Sequence, residues 1–310
     1  NHCFMTKNYA DKVASGEISI EEAIPIKLYS HQELVEKLKT LPAEKVIPTG
    51  LNGLDALING FKAGRLYVLS APPKNGKTTL AQTFMFNLAL MGSQSMMFTY
   101  EMSWQEMTRK FMEMDQFCNK TTTSDLPLYM PMEHHRDSGE LQFSWIESAI
   151  KKGIEENNIK LVVIDHLHFL LPLKETKNTS FVIGGIMREL KKICNLLNIP
   201  IILIAHIAKL ENEKIPTYRD IRDSSFIAQE SDVTMIMWRL RDKNAPKTDS
   251  DEIETETYTQ KAYLSVELDR VKGASGRIKL WHNGVMFEEY NNQDIKTIKI
   301  GGICTEFPMK

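Results

Sequence analysis

The sequence lacks several features that would place the protein in a familiar class. It has no run of about 18 uncharged apolar residues, so we expect no membrane-spanning helix. No charged segment followed by an apolar one is found near the start, which argues against a signal peptide, and a start at Asn1 instead of Met suggests a fragment or processed form. The net charge of −2 does not indicate a nucleic-acid-binding protein, although it leaves room for a locally basic channel.

Cysteine pairs are also missing. The four cysteines, Cys3, Cys118, Cys194 and Cys304, lie far apart and form no Cys-x-x-Cys spacing, so a zinc site is not expected. Isolated thiols fit a reducing compartment inside a cell, whether cytoplasm, phage-infected cell or organelle matrix.

Apolar strands and helices alternate from about residue 47 onward. The pattern predicts strands at 66–71, 95–100, 161–165, 200–205 and 231–238, and helices at 78–91, 103–117, 140–157 and 181–198. This alternation predicts an α/β fold with a twisted, mainly parallel sheet flanked by helices. Three further strands, at 262–269, 277–281 and 285–290, are expected at an antiparallel C-terminal edge. We therefore divide the chain into an N-terminal extension (1–46), a nucleotide-binding domain (47–290) and a C-terminal tail (291–310).

A short amphipathic helix is predicted before the main domain. Ser30 and Glu33 form a capping box, and Pro42 ends the helix predicted at 31–41. Its apolar stripe consists of Leu34, Val35, Leu38 and Leu41. The stripe either packs on its own domain or docks on a neighbouring subunit.

The strongest motif is a phosphate-binding loop between the first predicted strand and helix. Backbone N–H groups of such a loop surround the phosphates of ATP, a lysine adds charge, and a hydroxyl reaches Mg²⁺. We expect Lys77 and Thr78 to take the last two roles. The predicted nucleotide-binding residues are Ala71, Pro72, Pro73, Lys74, Asn75, Gly76, Lys77, Thr78 and Thr79.

Three polar residues end or directly follow other predicted strands, at the edge where a parallel sheet binds ligands. Asp165 is the candidate second Mg²⁺ ligand, Glu101 the candidate base that activates water, and His206 the candidate γ-phosphate sensor. The structural alternatives are a surface aspartate, a helix-start glutamate and a histidine satisfied within the fold.

The segment after His206 carries cations and hydroxyls that suit a phosphodiester. The candidate contacts are the cations Lys209, Lys214, Arg219 and Arg222, together with the hydroxyls of the run 220–225; an ordinary solvated loop is the alternative. Further on, Arg270 precedes a glycine-containing turn and could stabilise charge on a neighbouring subunit's γ-phosphate.

Taken together, these motifs resemble the RecA-like motor domain of the hexameric replicative helicases, which include bacterial DnaB, phage primase-helicases and mitochondrial Twinkle. The resemblance covers roughly residues 30–290. It rests on the run 49–55 ahead of the phosphate loop, on Phe98 to Met102, on Ile164 to Leu167 and, most specifically, on 220–232.

This resemblance implies an ATP- and Mg²⁺-dependent DNA helicase that moves 5′ to 3′ on single-stranded DNA. It implies a homo-hexamer or heptamer docked through the helix at 31–41, and a primase domain or primase partner. Glu101, Lys77, His206 and Arg270 would be catalytic, and Arg241 would contact the nucleotide. Arg222, Asp223 and Ser224 would lie near the DNA backbone. Two positions depart from the family: Leu268 stands where a lysine is common, and Ser225 where a glycine is common.

Two other functions remain open from the sequence. One is a RecA- or KaiC-like ATPase that binds DNA without unwinding it. The other is a helicase loader or a degenerate scaffold subunit that binds ATP without turnover.

Overall fold

The computed structural model describes Ser15 and residues 28–41, 46–119, 125–131, 140–171, 179–207, 214–221, 224–241, 258–270, 272–290, 295–300 and 303–308. Contacts divide the chain into two compact units, Asn1–Glu44 and Lys45–Lys310. Among the described helices, none combines the length and the apolarity that crossing a membrane requires.

Helix α1 (His31–Thr40) belongs to the first unit and confirms the predicted capping box. The Ser30 hydroxyl accepts from the Glu33 N–H at 3.2 Å, and the Glu33 carboxylate accepts from the Ser30 N–H at 2.7 Å. No residue of α1 is buried, and Leu34 and Leu38 of its apolar stripe are exposed. Packing of this stripe on its own domain and docking on a neighbouring subunit both stay predictions.

The second unit alternates strands and helices as expected. Its helices are α2 (Asn52–Ile58), α3 (Lys77–Leu90), α4 (Trp104–Asn119), α5 (Glu140–Asn157), α6 (Thr179–Leu197) and α7 (Ser224–Glu230). Its strands are β1 (Val46–Ile47), β2 (Phe61–Lys62), β3 (Leu66–Ala71), β4 (Ser95–Thr99), β5 (Leu128–Tyr129), β6 (Leu161–Asp165), β7 (Ile201–His206), β8 (Val233–Arg241), β9 (Tyr258–Asp269), β10 (Gly276–His282), β11 (Phe287–Glu289), β12 (Ile295–Ile300) and β13 (Ile303–Pro308).

Nine of these strands form one sheet in the order β11-β10-β9-β8-β3-β7-β6-β4-β5. The six strands from β8 to β5 pair in parallel, and β9, β10 and β11 continue antiparallel from β8. The mixed fold with an antiparallel C-terminal edge is therefore confirmed. The segment predicted as a plain tail contains β12 and β13, which form a hairpin sheet of their own.

Alternate strand residues face two separate apolar clusters, one on each side of the sheet. On β3, Tyr67 and Leu69 join the cluster that includes α3, whereas Leu66 and Val68 join the one that includes α6. Burial on both faces explains why the strands read as continuous apolar runs. It also leaves polar side chains to the strand ends.

An ion pair fastens α6 to the start of β3. Lys191 Nζ donates to Asp232 Oδ2 at 2.6 Å and to the Gly64 carbonyl at 2.9 Å, while the Leu66 N–H donates to Asp232 Oδ2 at 2.7 Å. The two side chains are only 26% and 17% exposed. The pair thus holds the strand that leads to the phosphate-binding loop.

Replacing Lys191 by alanine should lower the free energy of unfolding by about 2 kcal/mol, because the partly buried Asp232 carboxylate loses its cation. The matched control is Lys192→Ala on the same helix. Lys192 pairs with Glu189 at 3.6 Å with exposures of 68% and 46%, so its loss should cost no more than about 0.5 kcal/mol. Urea unfolding of both variants checks this, and equal losses would contradict it.

Candidate active site

The phosphate-binding loop joins β3 directly to α3. Gly76 is the N-cap residue of α3 and has φ of 90°, a conformation that favours glycine. A Cβ atom there would also lie 2.9 Å from the Phe287 ring. Glycine is thus required both for the turn and for packing against β11, and the loop points the first N–H groups of α3 at any bound anion.

Asn75 anchors this loop from within. It is buried, its amide donates to the Pro73 carbonyl at 2.9 Å, and its side-chain oxygen accepts from the Arg239 N–H at 2.6 Å. The contact ties the loop to β8, the strand next to β3. The loop is therefore shaped before any ligand binds.

Thr78 and Asp165 meet at the centre of the site. The Thr78 hydroxyl donates to Asp165 Oδ2 at 2.8 Å, and Asp165 is fully buried at the end of β6. Its other oxygen, Oδ1, is buried without a hydrogen-bond partner among the described residues. Burial raises the pKa of Asp165 to about 6, although the Thr78 hydrogen bond and the Lys77 charge oppose the shift. A buried, unsatisfied carboxylate oxygen beside a hydroxyl fits Mg²⁺, which prefers oxygen ligands.

Glu101 lies beside this pair, because β4 and β6 are parallel neighbours in which Thr99 pairs with Asp165. It stands two residues beyond β4, which ends at Thr99, one residue earlier than predicted. Its side chain is 48% exposed, and its Oε2 lies 3.3 Å from Nδ1 of the buried His166. Burial, followed by charges on His206, His168 and Lys77, lowers the pKa of His166 to about 3. The imidazole is therefore neutral near pH 7, and its contact with Glu101 is not an ion pair.

His206 completes the group. It is the last residue of β7 and pairs in register with Ala71, the residue that begins the phosphate-binding loop. Its ring centroid lies 4.1 Å from that of His166. The ends of β3, β6 and β7 thus bring the loop, the carboxylate and the imidazoles to one edge of the sheet.

The residue after His206 is joined to the predicted DNA-binding segment. Ile207 forms an isolated antiparallel bridge with Ile221, and both are buried. Arg222 follows Ile221 directly in the sequence. A displacement of His206 can therefore be transmitted to that segment through a short stretch of backbone.

Residues 46–291, which make up most of the second unit, match the family model described as the DnaB-like helicase C terminal domain. The chain belongs to this family.

Two relatives named replicative DNA helicase DnaB illustrate the similarity. The protein of Buchnera aphidicola subsp. Baizongia pistaciae is 26% identical over 294 residues, which cover 87% of this chain and 60% of the relative. The protein of Mycoplasma pneumoniae is 28% identical over 257 residues, which cover 73% of this chain and 51% of the relative. The chain thus spans only part of the length of these DnaB proteins.

Solved structures confirm the fold. A DnaB-like replicative helicase, described with its primase interactions, has a TM-score of 0.66 and 17% identity over 92% of this chain and 74% of its own. A second solved structure, which is described as an ATPase domain, has a TM-score of 0.65 and 18% identity over 88% of this chain and 99% of its own.

Several residues assigned from the DnaB-like pattern lie away from the loop or outside the described chain. Arg270 follows β9, where Asp269 pairs with Val233 and Val233 with Tyr67, four residues before Ala71. It is therefore about 13 Å back along the strands and two strand spacings of about 4.8 Å across. An arginine side chain does not span that distance, so Arg270 does not reach its own chain's phosphate loop.

The remaining predicted contacts are placed only in part. Arg241 is the last residue of β8, and Ser224 begins α7. Lys214 is engaged with Asp220, whose Oδ1 accepts from its Nζ at 2.9 Å. Lys209, Arg222 and Asp223 lie outside the described residues.

Sequence reasoning missed two supporting residues. His166 was recognised only as part of a motif, although its position directly after Asp165 could have placed it at the site. The Arg239 backbone, which holds Asn75, has no local signal because the contact joins residues 164 apart.

The burial of the Asp165 carboxylate should lower the stability of the folded protein, and this effect can be measured. A raised pKa means that the folded state binds the proton more tightly, so the charged Asp165 destabilises the fold above pH 6 by up to about 3 kcal/mol. Without divalent ions, Asp165→Asn should therefore be more stable than the parent at pH 8, and the gain should shrink as the pH falls from 6 to 4.

Thermal unfolding across this pH range measures the effect. Asp125→Asn, at an exposed position, is the control and should change little. An Asp165→Asn variant that is equally or less stable at pH 8 would contradict the account.

Proposed function

We propose that the protein is the ATP-driven motor of a ring-shaped replicative DNA helicase that moves along single-stranded DNA, 5′ to 3′ by family resemblance. The observation that carries the proposal is the Ile207–Ile221 bridge, which joins the end of the hydrolysis site to the helicase-like segment 220–232. Family membership and relatives named as replicative helicases support the same conclusion.

In this proposal, the chain binds ATP through the phosphate-binding loop. Lys77 places its charge against the β- and γ-phosphates, and the N–H groups at the start of α3 bind their oxygens. Thr78 and Asp165 would hold Mg²⁺, which, when bound, neutralises phosphate charge. The adenine base of the bound ATP would lie toward Arg241 at the end of β8.

Glu101 orients the attacking water and accepts its proton. Its half-exposed side chain can reach a water molecule, and its Oε2 lies 3.3 Å from Nδ1 of His166 without forming a hydrogen bond to it. His206 contacts the γ-phosphate and moves when that phosphate leaves. Ile207 and Ile221 then transmit the movement to Arg222, Asp223 and Ser224 at the DNA backbone, with Lys209 and Lys214 nearby.

The same proposal requires a second subunit. Because Arg270 does not reach its own loop, it would act on the γ-phosphate of a neighbour, as an arginine finger does. The exposed stripe of α1 gives each subunit a surface for docking on the next, in a ring of six or seven. A primase domain or a primase is the proposed partner, as in the similar helicase described with primase.

The nucleotide site is tested by Lys77→Ala. Removing the charge that faces the phosphates should abolish ATP hydrolysis with and without single-stranded DNA, and phosphate release measures this. Lys192→Ala, which changes an exposed lysine, should keep the parent rate. Normal turnover in Lys77→Ala would refute the site.

The shared site is tested by mixing variants. Arg270→Ala alone should lower turnover by a factor on the order of 10³. Mixed with Glu101→Ala, it should regain activity, since some interfaces then combine an intact Glu101 with an intact Arg270. If no mixing ratio exceeds the two variants measured separately, Arg270 does not act between subunits.

A further inference from the structure

A three-residue cluster at the active-site edge has the chemistry of a transition-metal site. Glu101, His166 and His206 each offer one ligand atom, and these atoms all lie within 4.8 Å of one another. The cysteine spacing argued against a zinc site of the cysteine type. It could not reveal this one, because the ligands come from the ends of three different strands.

Two atoms from these residues already have a spacing that suits a tetrahedral ion. Glu101 Oε2 and His166 Nδ1 are 3.3 Å apart. Two ligand atoms about 2.05 Å from a tetrahedral zinc ion are separated by about 3.3 Å. Only the His206 nitrogen has to approach further, and its ring already lies edge-on to that of His166 with centroids 4.1 Å apart.

The ligand types select the ion. Imidazole nitrogen suits Zn²⁺ and its neighbours in the first transition row, whereas Mg²⁺ takes oxygen ligands. Two histidines and one glutamate are a set found in zinc sites that keep a fourth position open. Half of the Glu101 side chain is exposed, so an ion can enter from solvent while His166 is buried behind it.

We propose that Glu101, His166 and His206 form a binding site for a divalent transition ion, with zinc as the expected occupant, distinct from the oxygen site at Thr78 and Asp165. Its consequence rests on the proposed function: the ion takes both Glu101 and His206 out of the reaction. Binding would therefore stop ATP hydrolysis reversibly.

Cobalt binding to the whole chain tests the site without ATP. Co²⁺ coordinated by imidazole and carboxylate in four- or five-coordinate geometry absorbs visible light strongly, and Zn²⁺ should displace it and remove the absorption. Excess Mg²⁺ is present throughout to fill the oxygen site. His166→Asn and His206→Gln should each weaken Co²⁺ binding by on the order of 100-fold, since even loss of a supporting partner costs about 10- to 100-fold.

The matched control is His31→Gln, which removes an exposed histidine on α1. Thermal unfolding of the variants establishes that each is folded. Cobalt absorption that is absent from the parent protein, or that is equal in the three variants, overturns the proposal.

Hydrolysis measured separately distinguishes this inference from the proposed function. Zn²⁺ at the concentration that removes the cobalt absorption should stop turnover, and a chelator should restore it. Absent cobalt binding with normal hydrolysis overturns only the metal site. Cobalt binding by the cluster in a protein that never hydrolyses ATP supports the metal site and overturns the ATPase.

Discussion

The hydrogen bond between Thr78 and Asp165 is the contact on which the site depends. It crosses β7, because the sheet order places β7 between β3 and β6. It therefore fixes the phosphate-binding loop relative to the strand ends that carry Glu101 and His206. This contact requires a fully buried carboxylate. The desolvation of that carboxylate destabilises its charged form and raises the pKa of Asp165.

The same edge of the sheet contains the proposed route from ATP hydrolysis to DNA. His206 pairs with the first residue of the phosphate loop, and the next residue, Ile207, pairs with Ile221 at the border of the proposed DNA-binding segment. Two successive backbone pairings thus connect the phosphate-binding loop to that segment. Arg270, by contrast, lies toward the opposite ends of the parallel strands, so the proposed arginine finger would have to act on a second copy of the chain.

Much of this arrangement could be predicted from the sequence. Apolar runs located β3, β6 and β7 within one residue, and the polar residues after them marked the active edge, because buried parallel strands leave only their ends for polar groups. The lateral order of the strands could not be predicted, since it depends on long-range pairing. For the same reason β5 and the contact between His166 and Glu101 were missed.

Unwinding of a forked DNA duplex with ATP and Mg²⁺ tests the central claim most directly. Substrates with a 5′ single-stranded tail, a 3′ tail or blunt ends are compared, with Lys77→Ala as the inactive reference. The account predicts unwinding that requires the 5′ tail and disappears in Lys77→Ala. DNA-stimulated ATP hydrolysis without separation of any of these duplexes would contradict it and favour an ATPase that binds DNA without unwinding it.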